Sequence, residues 1–185
     1  VKNAKAYLTG AISANLDMTG YTITSASGFG GKLDGKGYSI SNLTSSVPLF
    51  AENSGTLSNL TIDETCVFTA TSNLMAPFVK QDNGGTYNAV VNKASVTYKA
   101  TANVDTYVIL GGIVAVANGA NFTDCENYGA ITFDATGYTH QPTAIGGIAG
   151  FTDARYADAY YTTCNNNGPL TIKAKYGVPR SYMLD

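Results

Sequence analysis

The feature that most restricts how this chain can fold is that it repeats itself. Cys66-Val67-Phe68-Thr69-Ala70-Thr71 returns as Val96-Thr97-Tyr98-Lys99-Ala100-Thr101, as Ile131-Thr132-Phe133-Asp134-Ala135-Thr136, and as Leu170-Thr171-Ile172-Lys173-Ala174-Lys175. In every copy the first, third and fifth positions are apolar and the others mostly polar, the period of two that marks a half-buried strand. A second element precedes each copy: Leu110-Gly111-Gly112-Ile113-Val114-Ala115 matches Ile145-Gly146-Gly147-Ile148-Ala149-Gly150, with fainter partners at Met75-Ala76-Pro77-Phe78-Val79 and Val47-Pro48-Leu49-Phe50. A third lies between them: Phe122-Thr123-Asp124-Cys125-Glu126-Asn127-Tyr128-Gly129 matches Tyr161-Thr162-Thr163-Cys164-Asn165-Asn166-Asn167-Gly168, with weaker versions at 57–64 and 87–94. Each period therefore holds three short strands and three turns.

The period suits an all-β chain in which each repeat adds one rung to three sheets, a right-handed parallel β-helix (β-solenoid) with three short strands per coil. A propeller blade has a similar period, but it needs four strands and usually a Trp motif, and the chain has no Trp. Composition agrees. The chain is rich in Thr, Asn, Gly and Tyr and poor in strong helix formers. Stacking the repeats predicts inward columns Phe68/Tyr98/Phe133/Ile172, Ala70/Ala100/Ala135/Ala174 and Leu57/Tyr87/Phe122/Tyr161. It predicts an Asn92/Asn127/Asn166 ladder that serves turn backbone groups, and an outward column Thr69/Lys99/Asp134/Lys173 of alternating charge. An N-terminal echo pairs Leu16-Asp17-Met18-Thr19-Gly20-Tyr21 with Leu33-Asp34-Gly35-Lys36-Gly37-Tyr38 at a shorter offset. The expected organisation is a single domain over 1–185: irregular coils or a cap over about 1–45, regular coils over about 46–175, and a tail over 176–185. That tail is too short to cover three sheet edges. The last rung is thus expected to be an open edge that meets a second copy end to end, or an adjoining domain.

With 11 Lys and Arg against 13 Asp and Glu, the chain carries a net charge of -2, and only 13% of its residues are charged. That excludes the basic surplus of a nucleic-acid binder. No apolar stretch is long enough to span a membrane. The sequence begins Val1-Lys2-Asn3, without Met or a signal-peptide core, and reads as a mature or excised segment. Low charge and few cysteines fit an extracellular or outer-membrane-surface location. The three cysteines match no zinc or redox spacing. Cys125 and Cys164 share a column and are read either as buried free thiols or as an oxidisable pair.

Little in the chain carries chemistry. His140 is the only histidine and lacks the nucleophile elbow or reactive-Cys signature of a catalytic site. Asp34-Gly35-Lys36-Gly37 lacks both the further acidic ligands of a calcium loop and the ending of a P-loop, and reads as a turn. The pairs Asp63/Glu64, Asp124/Glu126 and Asp153/Asp158 read as solvated turn residues, although glycoside hydrolysis uses two carboxylates. Regular Thr rows suggest an ice-binding face, but charges in the next column argue against it. No cofactor or metal is expected. The candidate binding residues are Tyr107, Tyr138, Tyr156 and Tyr160, in or beside the longest loops, because a tyrosine ring offers sugars or proteins a flat apolar face with a polar tip.

The segment Phe29-Gly30-Gly31-Lys32-Leu33-Asp34-Gly35-Lys36-Gly37-Tyr38-Ser39-Ile40-Ser41-Asn42-Leu43 resembles a motif of large repetitive surface proteins of gut Bacteroidetes. The Gly-Gly-Ile strands followed by Cys-x-Asn-x-Gly are similar to the GLUG-type repeat of surface adhesins and proteases. The resemblance spans roughly residues 10–175 and implies a right-handed β-helix, export and surface attachment. It supplies no catalytic residues. The expected function is a non-enzymatic cell-surface module of an adhesin-like or stalk protein, whose partners are surface glycans or host or bacterial surface proteins. The alternative is a carbohydrate-active enzyme or glycan-binding module of polysaccharide-lyase-like β-helix fold, which would show a groove with two carboxylates on one sheet.

Overall fold

The structure, a computed structural model, describes residues 9–139, 143–153, 155, 157–174 and 182–184. Within them the protein is all-β, and every pairing between strands is parallel. Four sheets are present. Sheet A has ten strands, among them Lys32–Asp34, Thr56–Ile62, Thr86–Asn92, Asn121–Thr123 and Tyr160–Thr162. Sheet B has Phe50–Asn53, Val79–Asp82, Val114–Ala117 and Ala149–Thr152. Sheet C has Thr44–Ser45, Val67–Ala70, Ser95–Lys99, Ile131–Ala135 and Leu170–Ala174. Sheet D has Leu74–Met75, Val108–Gly111, Thr143–Gly146 and Tyr182–Leu184. From Thr56 onward the chain visits them in the fixed order A, C, D, B and then returns to A. Before Thr44 its strands belong to sheet A alone.

Four strand positions per circuit correct the expected three. The Gly-Gly element is not one strand. It breaks between Val108–Gly111 and Val114–Ala117, which lie in different sheets. Glycine is required at this corner because of close approach: a Cβ on Gly112 would fall on the carbonyl oxygen of Gly147 in the next circuit, and one on Gly111 on the carbonyl oxygen of Val114.

The ring column holds as expected. Leu57, Tyr87, Phe122 and Tyr161 are in register. Tyr87 and Phe122 stack at 4.7 Å between centroids, and Phe122 and Tyr161 at 5.0 Å. In sheet C the register differs from expectation. Tyr98, Phe133 and Ile172 do share a column, as do Ala135 and Ala174 and the charges Lys99, Asp134 and Lys173. Phe68, however, pairs with Val96, Ala70 with Tyr98 and Thr69 with Thr97. A slip of two leaves every inward side chain inward, so periodicity alone cannot detect it. Turn length causes the slip. Ile62 pairs with Asn92, yet four residues separate Ile62 from Val67 and only two separate Asn92 from Ser95. The longer turn is held by Asp63, whose Oδ1 accepts from the backbone N–H of Thr65 at 3.1 Å and from its hydroxyl at 2.9 Å.

The N-terminal echo is not a rung spacing either. Leu16 pairs with Ile40, and Leu33 with Gly10 and Leu57. What repeats is a local turn. Asp17 Oδ1 accepts from Thr19 N–H at 2.9 Å and Asp34 Oδ1 from Lys36 N–H at 2.8 Å, and Gly20 and Gly37 follow at positive φ (77° and 80°). Asp34-Gly-Lys-Gly is accordingly a turn, as read.

The asparagine ladder is present. Asn92 Nδ2 donates to Ala94 O (3.1 Å) and to Asn127 Oδ1 (2.8 Å). Asn127 Nδ2 donates to Gly129 O (3.0 Å) and to Asn166 Oδ1 (2.8 Å). Each buried amide thereby joins its own turn to the next rung. A second buried polar group lies at the B-to-A corner. Asp82 is buried, and its carboxylate accepts from the N–H groups of Gly84 and Gly85 and from the Tyr87 hydroxyl at 2.6 Å. Asn53, its register partner, donates to the Tyr87 hydroxyl at 2.9 Å. Burial raises the Asp82 pKa, and burial with the nearby carboxylate raises that of Tyr87 well above the usual phenol value. One circuit on, Ala117 stands where Asp82 stood and Phe122, without a hydroxyl, where Tyr87 stood. In the next, Thr152 bonds the Tyr161 hydroxyl at 2.7 Å.

Candidate functional site on the outer face of sheet A

Residues flanking the inward column point outward. Thr56, Thr86, Asn121 and Tyr160 form one outward column, and Ser58, Asn88, Thr123 and Thr162 a parallel one. From Thr56 to Tyr160 and from Ser58 to Thr162 both carry only uncharged hydroxyl or amide groups, with rungs about 4.8 Å apart; one rung before, Lys32 and Asp34 occupy the same two positions. The strand then changes phase. Asn59, Ala89, Asp124 and Thr163 occupy one position in successive circuits, and all have a left-handed backbone (φ 50°, 51°, 52° and 53°). Hence Leu57, Leu60 and Ile62 all face inward despite uneven spacing.

Beyond the phase change the same face hollows into a groove of about 510 Å³ lined by Thr61, Glu64, Val91, Lys93, Glu126 and Tyr128. Thr61, Val91 and Glu126 are register partners, each one residue before the ladder position. Lys93 and Tyr128 follow the ladder asparagines, and Glu64 comes from the lengthened Asp63 turn. Tyr128 is 46% exposed and donates its hydroxyl to Glu126 Oε2 at 3.1 Å. That hydrogen bond, with the carboxylate charge, raises the phenol pKa. Glu64 and Lys93 are exposed and Glu126 half-buried, so the charges stay hydrated. The groove thus offers a flat ring, two acceptors, one donor cation and a threonine hydroxyl. Among the described residues no cluster of His, Cys, Asp and Glu is suited to hold a metal ion.

Of the four candidate tyrosines, the three that are described sit at different places in the circuit. Tyr160 is 61% exposed on the outer face of sheet A. Tyr107, 63% exposed, lies before Val108–Gly111 of sheet D, and its carbonyl accepts from Asn73 Nδ2 at 3.1 Å. Tyr138 is half-buried against the core in the turn after Ile131–Ala135. Tyr156 and His140 lie outside the described residues. Of the acidic pairs, Asp63 caps its own turn, and Asp153 forms a two-point ion pair with Arg155 (2.9 Å for each contact). Glu64 and Glu126, taken from two different pairs, are what the fold brings to one groove. The signal was in the sequence, in the residues on either side of the ladder asparagines. It required stacking residues 61–64 on 91–93 with the turn insertion in place.

No family model matches the chain, nor does any curated protein or solved structure.

Proposed function

We propose that this chain is a segment of a right-handed parallel β-solenoid, with four strand positions per coil, from an extracellular or outer-membrane-surface protein of the adhesin-like or stalk type represented by GLUG-type repeats. Its role is to bind polysaccharide, without catalysis, along the outer face of sheet A. The solenoid reading rests on the cyclic order of the sheets and their parallel registers. The right hand follows the general rule for crossovers between parallel strands. The observation that carries the binding role is the pair of hydroxyl and amide columns, uncharged over the four rungs from Thr56 to Tyr160, that lead into the Tyr128 groove. Such a surface matches the repeated hydroxyls of an extended glycan, and Tyr128 supplies a ring on which a pyranose can stack. A groove with two carboxylates supports the second reading, a carbohydrate-active enzyme, with Glu64 and Glu126 as the pair.

The test is a polysaccharide-binding screen of the intact chain together with an assay for released reducing or unsaturated ends. Binding without product release, weakened about tenfold by Tyr128→Ala, supports the adhesive role. Product release abolished by Glu126→Gln replaces it with the enzyme. Binding that Tyr128→Ala leaves unchanged removes the groove from either role.

A further inference from the structure

We propose that Cys125 and Cys164 are a disulfide-forming pair that can fasten the last described rung of sheet A to the one beneath it. The two cysteines are one circuit apart, each two residues after the register pair Thr123 and Thr162 and directly before the register pair Glu126 and Asn165. The backbone ties them as well, since Asn165 N–H donates to Cys125 O at 3.0 Å. Adjacent rungs put the Cα atoms about 4.8 Å apart, inside the span a disulfide bridges. Both residues follow the left-handed position, Asp124 or Thr163, so they leave the corner in the same direction. The Cys164 thiol lies near enough to contribute, after burial, to raising the Cys125 pKa to about 12. Both are reduced in the structure, as is Cys66, which lies apart in a buried site between Ile40 O and Leu43 N–H.

Their unequal burial sets the order of chemistry. Cys125 is fully buried and Cys164 is partly exposed, in the last described rung of sheet A. The oxidant required is a low-molecular-weight disulfide such as oxidised glutathione. The Cys164 thiol loses its proton, and its thiolate attacks one sulfur of that disulfide. The S–S bond breaks, a mixed disulfide forms on Cys164, and one small thiol leaves with a proton. Cys125 then gives up its proton and attacks the Cys164 sulfur, releasing the second small thiol. Two cysteine thiols have been oxidised to one disulfide, and the small disulfide has been reduced to two thiols. Cys66 has no partner in its column and remains reduced, so it serves as an internal control.

The test treats the intact chain, in its native state, with oxidised glutathione. It then measures intact mass, free thiols and peptide linkage. The expected product has lost two hydrogen atoms, keeps one of its three thiols and carries a Cys125–Cys164 peptide. Exchange of the amides in Tyr160–Thr162 should slow by at least about tenfold. Cys125→Ala, which preserves an apolar core side chain, should stop at a single glutathione adduct on Cys164. A wild-type protein that also stops at that adduct, that bridges through Cys66, or that keeps all three thiols would overturn the proposal.

Discussion

Tyr87 and Tyr161 occupy the same column, bond a polar partner in sheet B and stack on the same Phe122, yet Tyr87 is fully buried and Tyr161 is 44% exposed. The same contrast runs through the circuit. Phe133 is buried and its neighbour Ile172 half-buried, Cys125 is buried and Cys164 is not, and Asn127 is buried where Asn166 is partly open. Identical local chemistry therefore has different energetic weight, because a rung buries its inward side chains only when another rung lies on each side.

That difference is open to direct measurement. The largest expected effect is in the core column: Phe133→Asp buries an unpaired carboxylate between Tyr98 and Ile172 and should cost roughly 4 kcal/mol or more, whereas Ile172→Asp can hydrate and should cost about 1 kcal/mol. Chemical denaturation of both variants decides it, and equal losses would mean that the last rung is covered. The ladder should show the same gradient at a lower level. Asn127→Ala removes one of the two acceptors of Asn92 Nδ2 and the amide donor to the Gly129 carbonyl and should cost about 2–3 kcal/mol, against about 1 kcal/mol for Asn166→Ala, which is partly open. Thermal melts of the two variants would settle the order.

Among the described carboxylates, the one that burial shifts upward, Asp82, belongs to a middle circuit. Burial raises the pKa of Asp82 above its ordinary 3.8. The groups that face it are Asn53, Tyr87, the amides of Gly84 and Gly85, and Tyr161, with no cation among the described residues. Its contribution is therefore fully present below the unfolded value and is lost as pH rises through the raised folded value. Hydrogen bonds lower the pKa values of Asp17, Asp34, Asp63 and Asp134, which act in the opposite sense as pH falls. Melting temperatures of wild type and Asp82→Asn, compared upward from pH 3.8, should diverge in favour of the variant. Parallel curves would mean that Asp82 stays ionised. The smallest effect concerns the phase-change position. Ala89 holds a left-handed backbone that Asn59 and Asp124 tolerate better, so Ala89→Asn should stabilise by about 0.5–1 kcal/mol. Thr163→Asn should relieve the same strain but protect only the amides of its own rung. Exchange rates for both variants would distinguish a global gain from a local one.

Alternation and repeats along the chain were sufficient to indicate parallel stacked strands, the ring column and the asparagine ladder. Each of these follows from local patterns that recur with the backbone. The sequence alone could not place Phe68 against Val96 instead of Tyr98, because a two-residue slip keeps every apolar side chain inward and only the length of the Asp63 turn decides between them. It could not divide the Gly-Gly strand between two sheets, since the close approach of the Gly147 carbonyl to that corner comes from another circuit. It could not assemble the groove, because Glu64, Lys93, Glu126 and Tyr128 lie in three different circuits. Patterns along the chain report which side chains turn inward. Which of them meet depends on turn lengths and on contacts between circuits, and those exist only once the rungs are stacked.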